Sequence, residues 1–197
     1  MRLTKKMSLI VISFAGFSLL CLASLRSAGQ EVQMPEEYQA QAIGQGTQLG
    51  QNFNVTVNIQ EYSTPEDRQV LVDGFNKTGS KGLNSALRKM KAKGHIAITG
   101  TLGYDISFAR RLPTANGVKI RVLTNRPITF GEARTDSPSM EYDLTAIELD
   151  LSNEKGKSTG ILLPACRFTI NKKTNELEIE NNQNPWKLVD VLDRSKK

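Results

Sequence analysis

The chain has 197 residues, 39% apolar and 23% charged, with a formal charge of +6. That is enough for one domain with a hydrophobic core, and too apolar for wholesale disorder. Two cysteines exclude a disulfide scaffold or a Cys-rich zinc module, and a single histidine excludes most His-based metal sites.

The first element in chain order is a targeting segment. Arg2, Lys5 and Lys6 precede a run from Met7 to Leu25 without a single charge, and Arg26 ends it. A basic start, an apolar stretch and small residues beyond it make residues 1–29 a secretory signal, with cleavage after Ala23 or after Gly29. Leu20 before Cys21 argues against lipidation. The rival reading is an uncleaved anchor, because the uncharged run is almost long enough to span a bilayer; the chain then meets the membrane only through this segment. Residues 1–29 hold four Lys/Arg and no acid, so the remaining 22 basic and 20 acidic residues leave only +2. Most of the basicity therefore belongs to targeting. The expected location is outside the cytoplasm, periplasmic or extracellular.

Residues 30–52 are rich in glutamine and glycine and read as a flexible spacer. Residues 53–193 form the single folded domain, and residues 194–197 a basic tail. Phe53, Val55, Val57 and Ile59 alternate with polar residues, which predicts a half-buried strand. Thr64, Pro65 and Asp67 then make a helix start with a capping box. Leu83, Ala86, Leu87 and Met90 carry the apolar face of a second helix, ended by Gly94. From there to Leu192 short alternating segments are separated by turn residues, with a bend expected at Pro164. The predicted class is α+β: a mostly antiparallel curved sheet or partial barrel of seven to eight strands, with a two-helix insertion after the first strand.

No catalytic motif, metal-ligand pattern or cofactor signature occurs in the chain, so no catalytic residue, metal or cofactor is assigned. Cys166, alternating with Phe168 and Ile170, reads as a buried small hydrophobe. Residues 124–133, TNRPITFGEA, leave the sheet at Pro127. There Arg126 and Glu132 read either as donors and acceptors to a ligand or as a brace across an irregular crossover. Tyr104 and Arg110 complete that candidate ligand set. Lys81, Arg88, Lys89, Lys91 and Lys93 read either as an anion-binding face or as cations neutralised by the acidic strands beyond residue 132. Nucleic acid is excluded by the lack of stacking aromatics on that face.

Leu102 to Arg110, Asn116-Gly117, TNRPITFGEA, Glu141-Tyr142-Asp143, Ile147-Glu148-Leu149 and Leu177 to Asn181 together resemble a family of uncharacterised exported proteins of soil bacteria. The similarity spans about residues 53–192. Ser107-Phe108 stands where that pattern has a basic–aromatic pair. The resemblance implies export and bacterial origin, and no activity. Two functional expectations follow. One is a non-catalytic module binding an apolar ligand between sheet and helices, or an acidic envelope component on the basic face. The other is a secreted hydrolase using paired carboxylates drawn from Asp105, Glu132, Asp143 and Glu148.

Overall fold

The computed structural model describes residues 35–128, 144–152, 154, 158–171, 176–181 and 184–195. The signal segment, Glu132 and Asp143 therefore lie outside the described residues. Among those described there are nine strands and two α-helices: β1 (Glu36–Ile43), β2 (Asn52–Ile59), α1 (Pro65–Thr78), α2 (Ser80–Leu87), β3 (Gly94–Ile98), β4 (Tyr104–Thr114), β5 (Gly117–Thr124), β6 (Leu144–Ser152), β7 (Thr159–Asn171), β8 (Glu176–Asn181) and β9 (Trp186–Asp193). All pair antiparallel in one sheet, ordered β6-β5-β4-β3-β2-β1-β9-β7-β8, and β6 also pairs with β7. The class is α+β.

Two expectations need correction. Strand β1 occupies residues that read as spacer, so the helices follow the second strand and the sheet has nine strands rather than seven or eight. The reason is local. Tyr38, Ala40 and Ala42 face inward and are buried, while Gln39 and Gln41 face out. Alanine is a weak strand former, but small residues suit this wall. Ala42 lies in register with Phe53 on β2 and Leu188 on β9. Little volume between them lets the Phe53 and Trp186 rings meet at 4.7 Å.

The apolar residues divide into two cores on opposite faces of the sheet. The inner one gathers Tyr38, Val55, Val57, Ile96, Ile106, Ile120, Ile147, Leu162, Trp186 and their neighbours. The outer one joins Leu71, Leu83 and Leu87 of the helices to Phe108, Leu123, Leu144, Leu163 and Phe168. Each of the three helical leucines is fully buried, worth roughly 1.5–3 kcal/mol apiece. That burial holds two helices too short to persist alone.

Two register shifts decide which residue faces which core. Ser107 is an extra residue on β4 between the Ile106–Thr124 and Phe108–Leu123 pairs, so Ile106 faces the inner core and Phe108 the outer one. Pro164 and Ala165 on β7 stand opposite Thr145 alone, which is the bend expected at Pro164. Beyond it, β7 pairs with β8 and turns Cys166 and Phe168 under the helices. Cys166 is buried, as its alternation implied.

The link from β2 to α1 is pinned by polar contacts. Ser63 N donates to Ala109 O at 2.8 Å, and Ala109 N donates to Ser63 Oγ at 3.0 Å. Thr64 and Asp67 form the expected capping box. Beside them Tyr38 and Tyr62 donate to Glu36 at 2.6 and 2.5 Å, and Arg111 donates to the same carboxylate at 2.8 Å. Burial, then the hydrogen bond to that carboxylate, holds both phenols above the usual tyrosine range.

Candidate functional site

The chain leaves β5 at Thr124 and reaches Arg126 through two buried threonines. Thr124 Oγ1 donates to Arg126 O at 2.5 Å and accepts from Thr145 N at 3.2 Å. Thr145 Oγ1 accepts from Ile128 N at 2.7 Å and donates to Pro164 O at 2.6 Å. A segment that Pro127 keeps out of the sheet is thus tied to β5, β6 and the β7 bend. The sequence reading missed these threonines. Their signal was a Thr facing each strand's apolar run, at Thr124 and Thr145.

So anchored, the Arg126 guanidinium lies 4.8 Å over the Tyr104 ring, and its Nη2 donates to Gly103 O at 3.1 Å. Its Nη1 and Nε have no partner among the described residues. Gly103 has φ +81°, and a Cβ there would stand 2.1 Å from His95 Nε2, so glycine alone admits both the turn and the imidazole. His95 Nδ1 lies 3.5 Å from Asp105 Oδ1 on the neighbouring strand. Leu102, Gly103, Tyr104, Arg126 and Pro127 line an open concavity of about 470 Å³. Leu102 is fully exposed beside it.

Of the four candidate ligand residues, the fold brings Arg126 and Tyr104 together. Glu132 lies outside the described residues. Arg110 is six residues along β4 from Tyr104, about 20 Å of strand. It stands opposite Arg121, which pairs with Glu148 at 2.6 Å; Lys119 approaches the same carboxylate at 3.7 Å. Basic and acidic strands therefore meet on the outer surface there.

The basic cluster is dispersed. Lys93 is buried, with Nζ 3.1 Å from Glu61 and 3.0 Å from Asp67, which removes it from any open anion-binding face. Lys91 lies 3.8 Å from Glu61, and Arg88 Nε donates to Asn125 O at 3.4 Å. Lys81 and Lys89 are exposed.

The space expected to hold an apolar ligand between sheet and helices is filled by the outer core's own side chains. Asp105 and Glu148 sit on β4 and β6 with β5 between them. Two strand spacings alone separate them by roughly 10 Å. Asp105 lies one residue beyond the Ile106–Thr124 pair while Glu148 pairs with Arg121, so their registers along β5 differ by a further four residues. A glycosidase pair needs about 5 to 10 Å. Among the described residues no three His, Cys, Asp or Glu side chains converge as a metal site. No helix among them is long and apolar enough to cross a membrane. No family model, curated protein or solved structure matches the chain.

Proposed function

We propose that the protein is an exported, non-catalytic binding module that takes a small anionic amphiphile at Arg126. One observation carries this reading: a guanidinium held over Tyr104 and tied to Gly103 O at the rim of an open concavity. An arginine fixed in this way loses little freedom when it binds. Its remaining N–H groups form a fork that suits a carboxylate or phosphate. Leu102 and Pro127 offer apolar surface to the chain attached to that anion.

The scaffold is a barrel in this reading. The β6–β7 pairing completes a cycle of eight strands, β1 to β7 and β9, with β8 outside it. The inner core fills that cycle with side chains, so a ligand is taken at the rim. Export rests on the basic start, the uncharged run and the small residues after it. The resemblance to exported soil-bacterial proteins supports the same reading, in which the ligand belongs to the cell envelope or beyond.

The test uses protein recovered from the exported fraction, its N-terminus expected at Ser24 or Gln30. Decanoate and decyl phosphate are titrated by calorimetry. Saturable binding is expected, weakened tenfold or more in Arg126→Gln, since a hydrogen bond to a charged group contributes about 1.5–3 kcal/mol. Equal affinity in Arg126→Gln, or no saturation of the wild type at millimolar ligand, contradicts the reading.

A further inference from the structure

A second concavity, of about 520 Å³, crosses the outer surface of β9, β1 and β2. It is independent of the Arg126 site. Its walls are built by the register of the sheet. Gln39 pairs with Thr56 and Gln41 with Asn54, so two rungs of uncharged polar side chains stand side by side. The rungs are about 7 Å apart along the strands. On the other side, β9 carries one residue too many: Gln39 faces Leu192 and Gln41 faces Val189, so Asp190 and Val191 oppose Ala40 alone. Such bulges bend a strand and re-aim a side chain.

Asp190 adopts φ +50°, the one positive value among the described non-glycine residues. Glycine would hold this turn without steric cost. Aspartate holds it at a cost and adds a carboxylate to the concavity. The side chains of Gln41, Asn54, Thr56 and Asp190 have no partner among the described residues, whereas Gln39 is fixed. Its Nε2 donates to Glu37 at 2.9 Å and its Oε1 accepts from Arg194 at 3.1 Å. Leu192, nearly half exposed, supplies an apolar flank.

We propose that this concavity binds a neutral polyhydroxylated chain, a glycan. Amides and a threonine hydroxyl both donate and accept, which matches hydroxyl groups that do the same. The carboxylate accepts from two neighbouring hydroxyls and disfavours anionic sugars. One carboxylate among neutral oxygens is too little charge for a tight calcium site, which draws on several. Leu192 meets the C–H face of a sugar ring.

The experiment is an NMR titration of the exported chain with cellohexaose, chitohexaose and maltohexaose, with tri-galacturonate and Ca²⁺ as controls. Saturable shifts confined to β1, β2 and β9 are expected for at least one neutral hexaose, and weaker binding of the acidic sugar. The double variant Gln41→Ala, Asn54→Ala loses binding tenfold or more with its fold intact by circular dichroism. Asp190→Gly separates binding from stability: it relieves the backbone, so Tm is unchanged or higher, while affinity falls. No saturation by any neutral hexaose at millimolar concentration overturns the proposal. Tighter binding of tri-galacturonate, a response to Ca²⁺ alone, or full affinity in Asp190→Gly and the double variant also overturns it.

Discussion

Lys93 carries the clearest pH dependence at the scale of single residues. Burial pulls its pKa down, but Asp67 and Glu61 outweigh burial and leave it above the ordinary 10.5. Burial likewise raises Asp67, and the Thr64 backbone N–H together with Lys93 outweighs that and leaves it below the ordinary 3.8. The stabilisation from Asp67 is therefore present above 3.8 and lost as pH falls through its lower folded value. That from Lys93 is complete below 10.5 and lost as pH rises through its higher folded value. Lys93→Met removes the cation that Asp67 and Glu61 share and leaves Glu61 only the exposed Lys91 at 3.8 Å. A loss of about 1–3 kcal/mol near pH 7 is expected, less than for a fully buried pair because Glu61 is partly solvated. Chemical denaturation across pH checks it: the gap between wild type and variant narrows below pH 3.8. A gap that is constant with pH would assign the effect to packing alone.

At the scale of elements, α1 and α2 meet closely enough to exclude a side chain. A Cβ on Gly82 would stand 1.9 Å from Gly74 O and 2.6 Å from Thr78 Oγ1. Gly82→Ala must part the helices, at about 1–3 kcal/mol, against about 1 kcal/mol gained from helix propensity. A lower Tm is expected; a higher one would mean that the helices do not touch there. The capping box of α1 was legible because its chemistry is local: Thr64, Pro65 and Asp67 need only each other. The alternation of β2 and the bend at Pro164 were legible for the same reason. Strand β1 was not. Its inward residues after Tyr38 are alanines, beside which Phe53 of β2 meets Trp186, brought in from β9 near the other end of the chain. Tyr104 and Arg126 were both singled out, yet their stacking depends on a strand register and a threonine network that no short window contains. Lys93 sat in a run of basic residues, and only the fold sets it between two acids.

For the whole molecule, the pairing of β6 with β7 leaves β8, among the described strands, with a single neighbour. The helices pack on the outer core beside the β7 bend. Both proposed sites are then surface features of one filled scaffold, on different strands. In the proposed reading, the ligands are taken by loops and outer faces rather than by an internal cavity. The most direct test of this account is an amide NMR titration of the wild-type chain with decanoate. Shifts centred on His95, residues 102–105 and residues 126–127, saturating together, are the result predicted. Shifts centred elsewhere in the sheet, away from His95 and residues 102–105 and 126–127, or none at millimolar decanoate, would contradict it.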